Sequence, residues 1–387
     1  IKGMIVQEMV PHSTEIIIGA TRDPQFGPTI MFGIGGILTE IIEDVSFKIA
    51  PLTRQNIRNM FDEIESKAIL EGARGQPRID LSPISEILMT VSDIMIGHPE
   101  IEAIDLNPVI VYEKGAKIVD ARILVGEEWT VKTGGLPEVE DLKSMLEPGS
   151  AAVIGASANV EKIGYQILKN IVDAGFQGAI YPVNPRGGEI IGLKAYPSVL
   201  DIPDPVEVAV VVVPARFVVS VIKECVRKGV KGAIIISSGF KDVGPEGATL
   251  EKQILEIATK GGLRIIGPNC QGICNPQIGF CATWPLISDM GDVAVISQSG
   301  SIALEVPSYL SRNQLGYSKT IALGNKSDVD EADLISFLAE DEHTRIIALY
   351  TEGMNDGRKL MDAVKKATRE KPVLVLKGGK SEAGKKA

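Results

Sequence analysis

From about residue 150 onward, short apolar runs alternate with segments of helical period, and this alternation restricts the fold more than any other feature. The runs at 151–154, 179–183, 206–213, 232–237 and 264–266 are close to continuously apolar. Strands of that kind are buried on both faces, and the helical segments 162–174, 216–228 and 248–260 lie between them to provide the cover. A second series begins at Asp292, with strands at 293–296, 318–323, 345–350 and 372–376 and helices at 301–311, 331–339 and 357–369. The expectation is an α/β protein with two parallel sheets, each covered on both faces. No internal repeat or low-complexity segment is visible.

Residues 1–126 have a different rhythm, that of a mixed α/β lobe. Two β-rich runs, 4–10 and 15–21, flank Pro11-His12-Ser13 and suggest a hairpin. Runs at 29–32 and 37–42 flank the glycines Gly33, Gly35 and Gly36. Helices are expected over 53–70, where Ile57, Met60, Phe61 and Ile64 share a face, and over 83–96. Strands follow at 101–106 and 116–120. Between the two regions, 126–137 is rich in turn formers without a period, the composition of a linker, and a short helix is expected near Leu142. The expected divisions are 1–126, a linker 127–147, 148–286 and 287–387. The chain opens on Ile1 inside strand-like sequence, which suggests a piece of something longer.

Charge and composition narrow the function. With 40 Lys and Arg against 50 Asp and Glu, the net charge of −10 argues against general nucleic-acid binding and against a polybasic membrane surface. A small phosphorylated ligand remains allowed, because backbone amides bind it whatever the global charge. No apolar run approaches the ~20 residues of a membrane span. Cys225, Cys270, Cys274 and Cys281 form no CxxC pair, and the three histidines are His12, His98 and His343. A zinc cluster is therefore not expected, and the cysteines are expected to be reduced thiols in a cytoplasmic protein.

Several turns carry possible chemistry. The strand at 151–154 runs into Gly155-Ala156-Ser157 and then a helix, an arrangement that presents free N–H groups and a helix dipole to a phosphate. A small residue needed only for packing explains it as well, since the full G-x-G-x-x-G fingerprint is absent. After the next strand, Asn184-Pro185-Arg186 places a cation where a dinucleotide-binding domain would carry an acid. That suits a ribose phosphate, as in NADP or coenzyme A; a solvated turn arginine is the alternative. Ser237-Ser238-Gly239, Gly267-Pro268-Asn269 and Ser297-Gln298-Ser299-Gly300-Ser301 all sit at the C-terminal ends of expected strands, where open α/β sheets bind ligands. Ser299 lacks the G-x-S-x-G elbow of a hydrolase, because Ser297 stands at the first glycine's place. Asp105, Asn107 and Asp120 offer oxygen ligands on neighbouring strands, which would suit Mg²⁺ beside nucleotide phosphates. A polar hairpin edge would look the same.

Taken together, these motifs resemble those of the ADP-forming (NDP-forming) acyl-CoA synthetases, relatives of succinyl-CoA synthetase. Gln7-Glu8-Met9-Val10, Arg22-Asp23-Pro24-Gln25-Phe26-Gly27-Pro28 and Phe32-Gly33-x-Gly35-Gly36 look like the C-terminal part of that family's ATP-grasp domain. Asp105-Leu106-Asn107-Pro108 and Asp120 are similar to its magnesium-binding segment. The turns at Gly155, Asn184, Ser237 and Asn269 resemble its Rossmann-like CoA-binding domain, and Ser297–Gly300, Leu323-Gly324-Asn325 and Tyr350-Thr351-Glu352-Gly353 its flavodoxin-like ligase domain.

The resemblance implies a partial ATP-grasp lobe followed by those two domains, and a relay chemistry. Acyl-CoA and phosphate give an acyl phosphate, a histidine takes the phosphoryl group, and a moving loop carries it to ADP. It implies CoA contacts at Gly155, Ala156, Ser157, Asn184, Arg186, Ser237, Ser238 and Asn269, and a Mg²⁺–ATP/ADP site at Asn107 and Asp120. It implies a phosphate cradle at Ser299, Gly300 and Ser301, with Glu352 orienting the phosphohistidine. In the family that histidine follows a segment similar to 378–387, where this chain stops, and the first half of the ATP-grasp domain would precede Ile1. The chain is accordingly expected to need the remaining parts of a synthetase as partners, to oligomerise, and to lack the complete reaction alone. The competing classes are an NADP-dependent oxidoreductase and a CoA-binding regulatory module of a protein acyltransferase.

Overall fold

The structure, a computed structural model, describes residues 8–35, 44–72, 78–126, 140–287 and 289–379. The described residues up to 126 form one compact unit, which also takes in 356–358; those from 140 form another.

The first unit is an antiparallel sheet with helices against one face. Its strands are β1 (Thr14–Asp23), β2 (Gly27–Ile34), β3 (Val45–Ile49), β4 (Ile101–Val111), β5 (Ala116–Ile118) and β6 (Ala121–Val125). Their order is β3-β2-β1-β4-β5, with β6 also on β4. A hairpin joins β1 to β2. Asp23 Oδ1 accepts from the N–H groups of Gln25 and Phe26 at 2.8 and 2.9 Å, and Gly27 takes a φ of +76°, which reverses the chain. Most of the strand expected at 4–10 and all of that at 37–42 lie outside the described residues.

The helix expected over 53–70 is two pieces, α1 (Arg54–Glu63) and the single turn α2 (Lys67–Leu70). Thr53 starts it with a capping box to Asn56. It stops because the Asp44 carboxylate captures the N–H groups of Glu65 and Ser66 at 2.7 and 2.8 Å, while Ile64 turns extended. Helix α3 (Leu81–Gly97) completes the cover, and Ile57, Met60, Ile84 and Leu88 bury against Ile16, Ile18 and Phe32.

The second unit opens with α4 (Glu140–Leu146), the short helix expected near Leu142. Leu142, Met145 and Leu146 are buried in the core, so this helix is docked on the unit and is no tether. Next come β7 (Ser150–Ile154), α5 (Ile163–Asp173), β8 (Ala179–Val183), a small hairpin of β9 (Gly188–Ile190) and β10 (Leu193–Ala195), and β11 (Val208–Val211). Helix α6 (Ala215–Lys228), β12 (Gly232–Ile235), α7 (Pro245–Lys260) and β13 (Arg264–Ile266) follow. The parallel sheet has the order β13-β12-β11-β7-β8, so its strands run 2-1-3-4-5 and the order reverses between β7 and β11.

The second sheet contains β14 (Gly272–Asn275), β15 (Phe280–Thr283), β16 (Met290–Ser297), β17 (Tyr317–Ala322), β18 (Ile346–Thr351) and β19 (Val373–Lys377), in the order β15-β14-β17-β16-β18-β19. Helices α8 (Gly300–Arg312), α9 (Glu331–Glu340) and α10 (Gly357–Ala367) connect its parallel strands. That parallel part runs 2-1-3-4, with its reversal between β16 and β18. The β14–β15 hairpin lies within the stretch 148–286 grouped above with the first sheet, yet it hydrogen-bonds antiparallel to β17 of the second. Ala151, Val153 and Val210 of the first sheet and Ile273, Phe280 and Ile321 of the second share one buried cluster.

In contrast to the four thiols expected, Cys274 and Cys281, opposite each other across this hairpin, are joined as a disulfide. Cys225 and Cys270 are free and buried, and burial pushes each thiol up to about 12. Among the described residues no helix is long and apolar enough to cross a membrane.

Candidate functional site

Both reversal points of the second unit open into one cavity of about 1360 Å³. At the first, β7 ends in Gly155 with φ +98°, where a Cβ would stand 2.9 Å from the Val212 carbonyl oxygen. A Cβ on Gly164 would sit 2.0 Å from the Gly155 carbonyl oxygen, so glycine at both positions lets the start of α5 approach the strand end. Two of the three expected donors, Gly155 and Ala156, are already engaged. The N–H of Gly155 already bonds Val183 O at 3.0 Å, and that of Ala156 bonds Val153 O at 3.4 Å. Open N–H groups here include those of the first turn of α5, at Ile163 and Gly164, which have no intrahelical acceptor, alongside that of Ser157. Lys162 stands at that N-cap, exposed and with no acidic partner among the described residues.

At the second reversal, Gln298 follows β16 and its Oε1 accepts three hydrogen bonds from the end of β18: from Thr351 Oγ1 at 3.3 Å, Glu352 N at 2.9 Å and Gly353 N at 3.2 Å. Thr351 Oγ1 also reaches Glu331 Oε1 at 2.7 Å, and Glu331 pairs with Lys326 Nζ at 2.5 Å. Lys326 further donates to the Gly353 carbonyl. Lys326 and Glu331 are both buried, so this pair is desolvated and holds the Glu352 turn from behind. Glu352 itself is exposed, and its Oε1 accepts from the Tyr350 hydroxyl at 3.3 Å. Ser299 caps α8 without a side-chain bond, while Ser297 Oγ donates to the Ser299 carbonyl at 2.7 Å.

The two rims are tied across the cavity floor. Asn325 donates to Glu251 Oε2 at 2.8 Å, Lys241 Nζ donates to Asn325 O at 2.6 Å, and Ser327 donates to Glu251 Oε1 at 2.5 Å. Gly324 is required where they meet: its φ is +54°, and a Cβ would lie 2.4 Å from the Pro268 and Asn269 carbonyl oxygens. Burial pushes the Asp242 carboxyl upward, but hydrogen bonds from the Phe240 and Gly239 N–H groups outweigh it and hold the group below the ordinary range.

Of the residues singled out in the sequence, Gly155, Ala156, Ser157, Asn184, Ser237, Ser238, Asn269, Gly300, Ser301 and Glu352 all line this cavity. Asn184, Ser237 and Asn269 shape the wall: Asn184 Nδ2 bonds Ala156 O at 2.7 Å, Ser237 Oγ bonds Val213 O at 2.5 Å, and Asn269 N bonds Ser237 O at 2.9 Å. Arg186 and Ser299 are not among the lining residues. Arg186 is exposed on a turn that leaves the rim, because Gly187 and Gly188, with φ of +58° and +90°, direct the chain into β9. Lys162, Lys241, Gln298, Lys326 and Asn325 line the cavity and were not marked as site residues from the sequence. None of His12, His98 and His343 is a lining residue, and all three are exposed.

In the first unit, Asn107 and Asp120 are brought together, with Asn107 N donating to Asp120 O at 3.3 Å and both side chains exposed. Asp105 faces Arg122 in register. Among the described residues no group of three or more His, Cys, Asp or Glu is arranged to hold a metal. Two oxygen donors on one edge nevertheless fit Mg²⁺, which keeps several waters and takes its other ligands from phosphates.

Comparison with known proteins matches three segments of the chain. Residues 1–125 match an ATP-grasp domain, 149–276 a CoA binding domain and 290–387 a succinyl-CoA ligase like flavodoxin domain. Acetate–CoA ligase [ADP-forming] II of Archaeoglobus fulgidus is 40% identical over 390 residues, which is 100% of this chain and 57% of that protein. The alpha subunit of acetate–CoA ligase [ADP-forming] I of Pyrococcus furiosus is 47% identical over 251 residues, 64% of this chain and 54% of its own. A solved structure of dinucleotide forming acetyl-coenzyme A synthetase 1 from Ca. Korarchaeum cryptofilum, in complex with phosphate and ADP, superimposes with a TM-score of 0.61 at 40% identity, covering 63% of this chain and 53% of that one. The chain thus spans little more than half the length of these relatives. With all three segments present in one polypeptide and a match along its whole length, the chain is a homologue of the ADP-forming acetate–CoA ligases.

Proposed function

We propose that this chain acts in an ADP-forming acyl-CoA synthetase, interconverting acyl-CoA, ADP and phosphate with the free acid, CoA and ATP, and that acetyl-CoA is its substrate. The observation that carries the reading is the shared cavity: the reversal points of two parallel sheets, each a place where such sheets bind ligands, face the same space. A thioester held along the first rim would then reach a phosphate held at the second.

The first turn of α5 and Lys162 would bind the CoA phosphates, and Ser237, Ser238 and Asn269 would line the path of the rest of the molecule. At the second rim, the start of α8 with Gly300 and Ser301 would hold phosphate through N–H groups and the helix dipole. Phosphate attacks the thioester carbonyl, the C–S bond breaks, and CoA leaves as the thiolate. The acyl phosphate then passes its phosphoryl group to an imidazole nitrogen and releases the carboxylate. Glu352 would accept a hydrogen bond from the other ring nitrogen and so fix the tautomer. Because the three histidines are not in the wall, that imidazole comes from another part of the synthetase, which makes the remaining subunits or domains obligatory partners. Asn107 and Asp120 would hold Mg²⁺ at a nucleotide's phosphates, where the ion offsets their charge. On this reading the protein would work in the cytoplasm, where CoA, ADP and phosphate are available.

Thermal unfolding with added ligands tests the reading. Saturating CoA, at about 100 times its dissociation constant, should stabilise the chain by about 2.7 kcal/mol. NADP⁺ at the same concentration should give no shift. Stabilisation by NADP⁺ and none by CoA would transfer the cavity to the oxidoreductase class.

A further inference from the structure

Among the described residues, Lys162, Lys241 and Lys326 line the large cavity, and they differ in what holds them. Lys326 is buried, with its ammonium on Glu331 Oε1 and the Gly353 carbonyl. Lys162 lies at the first rim, where the CoA phosphates are placed. Lys241 stands between the rims. It follows β12 of the first sheet, and its Nζ donates at 2.6 Å to the carbonyl oxygen of Asn325, which follows β17 of the second.

Glu251 fixes Lys241 from behind. Its Oε1 lies 3.4 Å from Nζ, and its Oε2 accepts from the Lys241 backbone N–H at 3.2 Å. Glu251 is buried and is not a lining residue, and its oxygens also accept from Ser327 Oγ at 2.5 Å and Asn325 Nδ2 at 2.8 Å. The carboxylate is therefore set in the wall and the ammonium on the cavity side. An ammonium has three donors. Two are engaged by Asn325 and Glu251, and the side chain remains 48% exposed, so the third N–H is open to a ligand. The adjacent Asp242 carboxylate does not take it, because its oxygens accept from the Phe240 and Gly239 N–H groups at 2.8 and 3.1 Å.

We propose that Lys241 is a catalytic residue, donating its third N–H to the acyl carbonyl oxygen where thioester and phosphate react. A phosphate oxygen attacks the carbonyl carbon, the C=O electron pair moves onto the carbonyl oxygen, and the tetrahedral intermediate collapses as the C–S bond breaks and CoA leaves as the thiolate. The carbonyl oxygen is neutral in the substrate and charged in the intermediate. A cation already fixed beside it stabilises the intermediate more than the substrate. The proposal rests on the placement of CoA and phosphate in the large cavity.

Run in reverse, this step calls on no histidine. The CoA sulfur attacks acetyl phosphate, the C–S bond forms, the C–O bond to phosphate breaks, and the thiol proton passes to solvent. The full chain given acetyl phosphate and CoA should form acetyl-CoA, followed by thioester absorbance, while calorimetry reports CoA binding. Lys241→Met should lower kcat about 100-fold or more, as loss of one oxyanion donor does, with the CoA dissociation constant unchanged within about threefold. Lys241→Arg keeps the charge and should bring kcat back to within about tenfold of wild type. A residue that only braces the two rims would lose CoA affinity together with kcat. That result overturns the proposal, as does Lys241→Met with kcat within about threefold of wild type, or wild type that binds CoA and forms no thioester. Wild type that binds no CoA instead overturns the reading of the large cavity, and the role of Lys241 falls with it.

Discussion

Gly164 and Lys326 illustrate what single residues contribute and how differently each is seen. Gly164 stands within a recognisable strand–turn–helix, and its role follows from a clash: Gly164→Ala would place a methyl 2.0 Å from backbone oxygen. It should destabilise the fold by about 1–3 kcal/mol, as overpacking does. Gly97→Ala, with nothing within 4 Å, should be neutral or mildly stabilising in the same thermal melt. Lys326 has no such local signature. Its partner Glu331 is five residues on, but Thr351 and Gly353, which complete the network, are brought in by the order of strands in the sheet. Lys326→Met leaves Glu331 buried without its cation and should cost about 3–5 kcal/mol in chemical denaturation. Arg186 marks the opposite limit, a residue chosen for charge at the correct turn whose chain two glycines then divert from the rim.

Elements of the second unit were legible wherever period and burial coincide. The runs at 179–183 and 264–266 are strands with those bounds, and the run at 151–154 is a strand one residue longer, Ser150–Ile154, all five of its residues buried as expected of a strand covered on both faces. Legibility failed where side chains compete for backbone groups, as at Asp44, or where a hairpin joins a distant sheet, as β14–β15 does. Strand β17 shows an element held by charge. Its buried Lys319 pairs with Asp341 Oδ2 at 2.8 Å and with Glu147 Oε1, just beyond α4, at 3.0 Å. Burial alone would raise the Asp341 carboxyl; hydrogen bonds from Lys319 and Thr344 outweigh it and hold it below its ordinary 3.8. A depressed folded-state value means the stabilisation is complete above the unfolded value and is lost as pH falls through the folded one. Asp341→Asn should therefore destabilise by about 3 kcal/mol near neutrality. The gap between variant and wild type should close as the melts are taken below about pH 4.

For the molecule as a whole, the position of the candidate site follows from topology more than from any motif. Each parallel sheet reverses strand order once, and the sequence showed the strands and their glycine-rich ends without showing which ends would meet. The shared core of Ile273, Phe280 and Ile321 with Val153 and Val210 sets the two sheets against each other so that both reversals face one cavity. The Asn107–Asp120 pair was legible because Asx residues flanking a hairpin are close in sequence as well as in space. A crystal structure of the chain grown with CoA shows directly whether CoA occupies the large cavity. Density for the pyrophosphate at the first turn of α5 beside Lys162, with the thiol directed toward Gly300 and Glu352, is the predicted result. CoA bound elsewhere, with the cavity holding only solvent at saturating ligand, would contradict the account.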